Sequence, residues 1–144
     1  MLKPTMSDPY NLQRFVDAQK DVFETVCAEL TAGRKRSHWM WFIFPQLNSL
    51  GHSPTAQFYG ISGKEEAQAY LGHPLLGQRL RQCTHLLLAT RERSIHQILG
   101  SPDDLKFRSC MTLFAHVTED NQPFVDAVNK YYGGKFDDRT LELL

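Results

Sequence analysis

The chain has 144 residues, with 16 basic and 16 acidic side chains and a formal charge of zero. It has the length of one domain, and no global field draws it onto nucleic acid or an anionic membrane. A hydrophobic fraction of 42% with 11% aromatic residues is well above that of a disordered chain. A chain of this size buries roughly 70% of its unfolded surface, so its core requires no disulfide framework or structural metal.

The opening MLKPTMSDPY has no apolar centre and does not read as a signal peptide. The longest apolar run, Trp39 to Pro45, is far too short to span a bilayer. Cys27, Cys83 and Cys110 are odd in number, widely spaced and set in apolar helical contexts. They read as reduced thiols serving as small hydrophobes, which goes with a cytoplasmic setting.

The elements are helical from end to end. Asp8-Pro9 opens a helix whose apolar face carries Leu12, Phe15, Val16 and Gln19, continuing through Val22, Phe23, Val26, Cys27 and Leu30. Asp21 with Glu24 forms a capping-box pattern that would restart it as a second helix, and Gly33 stops it. Residues His38 to Gln46 admit a buried strand. With no partner strand in sight, a short buried helix ending before Pro45 is the economical reading. Ser53-Pro54 opens a short helix that Gly60 ends, and Ser62 with Glu65 caps the next, which runs to Gly72. Pro74 begins a longer helix through Leu80, Cys83 and Leu87, and Ser94 caps a short one ending at Gly100. Ser101-Pro102-Asp103-Asp104 is the strongest helix start: a cap, a first-turn proline and two acids at the positive end of the dipole. Pro123 starts a helix broken by Gly133-Gly134, and a short one closes the chain. The expectation is a single all-α, multihelical domain over residues 1–144, with about seven or eight helices, several of them short.

Most motif tests fail. There is no phosphate-binding glycine loop, no GxGxxG, no GxSxG elbow and no EF-hand loop. No two of the six histidines stand four apart on one helix beside a cysteine pair, so no metal site is expected. No cofactor is identified.

The unusual stretch runs from Arg34 to Gln46. A basic lead-in, Arg34-Lys35-Arg36-Ser37-His38, meets both tryptophans, Trp39 and Trp41, with Met40, Phe42 and Phe44. Such rings either pack a core or wall a pocket that stacks a planar ligand. Lys35 and His38 suit an anionic group, His38 being the one candidate for proton transfer near neutral pH, and Gln46 suits an amide or base edge. The three cations equally suit a helix C-terminus. A second candidate is the stripe Lys106, Ser109, Thr112 and His116 beside Phe107, Cys110, Met111 and Phe114. It reads either as an ordinary amphipathic face or as ligand contacts. Tyr59-Gly60 is a third pointer, the glycine allowing close backbone approach.

The string SHWMWFIFPQL resembles the signature of a family of small bacterial proteins of unknown function, some of them labelled calpastatin-like. The blocks DPYNLQRFVDAQ, ELTAGRKRSHWMWFIFPQ, FYGIS, AYLGHPLLGQRL, DLKFRSCMTLF and GKFDDRTLELL follow in the family's order over nearly the whole chain. The resemblance implies a multihelical all-α fold and no settled activity. A calpastatin-type inhibitor is a long disordered chain, unlike this composition. The family's polar signature falls on Lys35, Ser37, His38, Gln46, Tyr59, Lys106, Ser109 and Thr112.

Two functions follow as expectations. One is a protein that binds, or acts on, a nucleotide-like or phosphorylated metabolite, an anionic small molecule, through Lys35, His38 and Lys106 with Trp39 and Trp41 stacking. It requires Lys35 and Lys106 to share a face. The other is a non-catalytic module docking a protein partner through an exposed block from Trp39 to Phe44, with a tryptophan at its centre. Nucleic-acid binding through Arg34 to Arg36 ranks third, because basic and aromatic residues do not alternate along a face.

Overall fold

The computed structural model describes residues 7–144. Among them are ten α-helices. In chain order these are α1 (Gln13–Gln19), α2 (Phe23–Thr31), α3 (Met40–Ile43), α4 (Pro54–Tyr59), α5 (Lys64–Gly72), α6 (Leu76–Ala89), α7 (Ile95–Leu99), α8 (Asp103–Ala115), α9 (Gln122–Tyr132) and α10 (Asp138–Leu143). The fold is all-α, as expected, with more helices than the seven or eight anticipated. Short pieces such as α3 and α4 are announced by cap and proline signals rather than by a periodic pattern.

Two long helices organise the core. α8 packs against α5, α7, α9 and α10, while α6 packs against α2, α5 and α9. Phe15, Leu30, Tyr70, Leu76, Phe107, Phe114 and Phe124 are fully enclosed between them. Each such side chain contributes about 1.5–3 kcal/mol through burial, before entropy is counted. The expected stripe Phe107, Cys110, Met111 and Phe114 is buried, but so is every residue from Ser109 to Ala115. The C-terminal half of α8 is therefore interior on all sides, which the alternation of polar and apolar residues did not suggest.

Local signals hold unevenly. Ser53 caps α4, with Pro54 in its first turn. Ser94 and Gln97 form a complete capping box on α7. Gly133 ends α9 in the left-handed region at φ 63°. Four other expectations are corrected. α1 begins at Gln13 rather than at Pro9, because the Asp8 carboxylate reaches forward to the amides of Leu12 and Gln13 at 2.8 and 2.9 Å. The chain does restart at α2, but its cap residue is Val22 with no side-chain bond, so Asp21 and Glu24 form no box. Ser62 and Glu65 form none either. Glu66 takes both the Ser62 amide and its hydroxyl, at 2.9 and 2.8 Å. Pro102 sits at the cap position of α8 rather than in its first turn.

The segment 38–46 contains the anticipated short helix, α3 (Met40–Ile43), which ends before Pro45. Beyond it, a parallel bridge pairs Leu47 with Ile61. The Ile61 amide donates to the Gln46 carbonyl and the Asn48 amide to that of Ile61, each at 2.9 Å. This bridge satisfies the buried backbone between α3 and α5 and brings Gln46 alongside Gly60. A Cβ on Gly60 would stand 2.4 Å from the Asn48 Cα, so only glycine fits.

A narrow aromatic cleft between α3, α4 and α8

The aromatic block divides by helical geometry. In α3 and its flanks, Trp39, Met40, Ile43 and Phe44 turn inward and are no more than 2% exposed, while Trp41 and Phe42 are half-buried. Phe44 meets Phe107 edge to face at 4.8 Å between centroids, and Phe42 packs on Tyr59 at 5.4 Å. Trp41 turns toward α8, where the Lys106 ammonium lies 5.2 Å from its ring centroid.

A small cleft opens here. Its walls are Met40, Trp41 and Phe44 from α3 and its end, Gln46 beyond it, Ala56, Tyr59 and Gly60 from α4, and Lys106 from α8. It is tight. The part that the centre of a water-sized sphere can reach is only about 10 Å³, room for about one water.

Arg14 holds α4 in place. Its guanidinium donates to the carbonyls of Phe58 at 2.7 Å and Gly60 at 3.0 Å, at the negative end of the helix, and pairs with Glu66 at 2.8 Å.

The lead-in to α3 is clasped by Glu29 of α2. Its carboxylate accepts from the amides of Arg36 and Ser37 at 2.8 and 3.1 Å, from the Ser37 hydroxyl and from the Trp39 indole at 2.8 Å. Burial alone would raise this carboxyl. The bonds from the Ser37 side chain, the Arg36 amide and Trp39 outweigh burial and hold it at about 2.

Asp103, in the first turn of α8, stands between two lysines. Lys35 Nζ is 3.0 Å from Oδ2 and Lys106 Nζ is 4.0 Å from Oδ1. Both ammonium groups thus share one face of the molecule. Lys35 is nearly enclosed, its side chain 8% exposed and its ammonium 5.1 Å from the Trp39 ring centroid.

The anticipated residues therefore separate. Trp41, Gln46, Tyr59 and Lys106 meet at the cleft, from three distant parts of the chain. Lys35 stands behind Asp103. Ser37 and Trp39 are engaged with Glu29 and do not line the cleft. Trp39 is 1% exposed, so it neither stacks a ligand nor centres an exposed docking patch. His38 is exposed and does not line the cleft. Ser109 and Thr112 turn to the chain leading into α10. Ser109 donates to Asp137 at 3.3 Å, and Thr112 accepts the Asp137 amide at 2.9 Å. This segment buries Ser109 and Thr112, whereas Lys106 and His116 at the two ends of the stripe keep part of their surface exposed.

Four residues that organise the site escaped the sequence reading: Arg14, Glu29, Glu66 and Asp103. Glu29 carried a signal, being an acid three residues beyond Val26 and one before Leu30 on the apolar stripe of α2. Asp103 was read only as a complement to the helix dipole.

Among the described residues, no group of three or more His, Cys, Asp and Glu side chains is placed to hold a metal ion. No helix among them is long and apolar enough to cross a membrane.

Fold and site together define an all-α domain with a small aromatic cleft crowned by a lysine. The chain belongs to the family described as "Protein of unknown function (DUF1810)", whose sequence model matches residues 9–144. It is similar to the conserved hypothetical protein Rv1873 from Mycobacterium tuberculosis, known from a crystal structure. The two share 60% identity over 95% of this chain and 98% of the other, with a TM-score of 0.94. No curated protein matches the chain.

Proposed function

We propose that this protein binds a small anionic metabolite with a flat group, nucleotide-like or otherwise phosphorylated, in the cleft between Trp41 and Lys106. The observation that carries the reading is a contrast in polar groups. The Ser37, Ser109 and Thr112 hydroxyls and the Trp39 indole N–H are all bonded within the fold. Among the described residues, the Gln46 amide, the Tyr59 hydroxyl and the Lys106 ammonium make no side-chain hydrogen bond, Lys106 having only its 4.0 Å approach to Asp103. Ligand pockets pair apolar walls with a few convergent polar groups of this sort.

The narrowness of the cleft limits the occupant. A ring enters only as Lys106 lifts from Trp41, exchanging a cation–π contact for a charge-assisted hydrogen bond to the ligand's anion. Lys35 reinforces the positive end from behind Asp103. Binding is the role this arrangement supports, and His38 stands outside it. The setting that goes with the reading is the cytoplasm, where three unpaired thiols persist.

A thermal-shift panel of nucleotides, ADP-ribose and sugar phosphates tests the proposal. A ligand of the native state raises the midpoint with the logarithm of its concentration over Kd. The expected result is a rise for one class, lost in Lys106→Ala and Gln46→Ala variants that melt like the parent. No rise with any compound, or a rise that survives both substitutions, overturns it. The first of these outcomes would turn attention to a protein partner.

A further inference from the structure

Cys27 on α2 and Cys83 on α6 face one another, away from the cleft residues. α2 packs along α6, and one turn earlier the Arg79 guanidinium of α6 lies 4.4 Å from the centroid of the Phe23 ring of α2. Arg79 and Phe23 each precede their cysteine by four residues, so the same helix faces that join there present the two thiols to each other. Each thiol perturbs the other, and Gln82, which precedes Cys83 in the chain, brings its Nε2 to 3.9 Å from Cys27 Sγ. Cys27 is half-buried, whereas Cys83 and Cys110 are buried.

We propose that Cys27 and Cys83 are a dithiol pair that a hydroperoxide oxidises to an intramolecular disulfide and that a thiol reductant reopens. Cys27 is the thiol that solvent reaches. Its thiolate attacks the terminal oxygen of the hydroperoxide. An S–O bond forms, the O–O bond breaks, and the departing alkoxide takes the Cys27 proton and leaves as an alcohol. The Cys83 sulfur then attacks the Cys27 sulfenic acid. The S–S bond forms, the S–O bond breaks, and hydroxide leaves with the Cys83 proton as water. In sum, two thiols and one hydroperoxide give one disulfide, one alcohol and one water. Burial pushes the Cys27 thiol up, partly offset by the neighbouring Cys83 and the Arg79 charge, and burial pushes the Cys83 thiol well up. The pair accordingly rests as thiols. The crosslink would staple α2 to α6 and close a loop containing α3, α4 and α5, and with them most of the cleft wall.

The test uses the full chain and excess hydrogen peroxide. Titration of free thiols after denaturation should fall from three to one, and a non-reducing peptide map should show residue 27 joined to residue 83. Dithiothreitol should restore all three thiols. Cys27→Ser should abolish the linked peptide and leave Cys83 reduced. Cys83→Ser, if it folds, should leave Cys27 as a sulfenic acid. Sulfenic or sulfinic acid at Cys27 of the parent with Cys83 still free, or dimers joined through Cys27, would overturn the proposal. The assignment is independent of what the cleft binds.

Discussion

Lys106 covers the outer face of Trp41, its ammonium 5.2 Å from the ring centroid and 4.0 Å from the Asp103 carboxylate. Asp103 and Lys106 both lie in the first turns of α8, and their spacing of three places them on the same side of the helix. The indole is therefore screened from solvent by a side chain that is 26% exposed.

The two tryptophans should respond oppositely to a quencher. Trp39 is 1% exposed and bonded to Glu29, whereas Trp41 is half-buried at the cleft. Acrylamide should quench the Trp39→Phe variant and scarcely touch Trp41→Phe. Lys106→Ala should increase quenching of Trp41 by uncovering its face. Equal quenching of the two single-tryptophan proteins would contradict this geometry.

Glu29→Gln should cost about 2 kcal/mol, because an amide replaces a buried carboxylate that accepts four bonds. The parent should also show a matching pH dependence. With the folded carboxyl at about 2 against 4.5 for the free group, its contribution is complete above the unfolded value. It is lost as pH falls from there toward the folded value. Urea melts between pH 6 and pH 2 should show a shallower loss for the variant than for the parent. Parallel curves would mean that Glu29 is not the group titrating.

Gly60→Ala should destabilise by about 2 kcal/mol or more, since the new methyl meets backbone rather than a yielding side chain. Its nearest neighbours are Asn48 Cβ at 2.3 Å and Asn48 Cα at 2.4 Å. The Leu47–Ile61 bridge adjoins this contact, so amide exchange of Asn48 and Ile61 should accelerate as well. Unchanged exchange at both amides would place the strain elsewhere.

The two lysines that flank Asp103 should differ in their effect on stability. Lys35→Ala removes a nearly enclosed cation 3.0 Å from its partner, leaving a half-buried carboxylate poorly paired, and should cost about 1–3 kcal/mol. Lys106→Ala, whose side chain is 26% exposed, should stay within about 0.5 kcal/mol of the parent. Equilibrium unfolding in urea decides, and equal costs would refute the asymmetry. It is also why Lys106, and not Lys35, is the variant suited to ligand tests.

Helix identity was legible because its causes are local. Ser53-Pro54, the Ser94 cap and Gly133 act within one turn, and spacings of three and four recorded which faces are apolar. The class of the fold followed from these. So did the short helix at Met40–Ile43, since an unpaired buried strand would leave its backbone unsatisfied.

Which candidates belong together was a different matter. Trp41, Gln46, Tyr59 and Lys106 meet only because Arg14 ties α4 to α5, the Leu47–Ile61 bridge aligns Gln46 with Gly60, and α8 lies across the aromatic block. Trp39 and Trp41 are two residues apart in one run of aromatics, yet helical rotation sends one to Glu29 in the core and the other to the cleft. Ser109 was as plausible a ligand contact as Lys106 until Asp137, 28 residues further on, closed over it. Residue type and spacing determine what a side chain is able to do. Whether it is already bonded depends on partners far along the chain, and only the tertiary structure decides that.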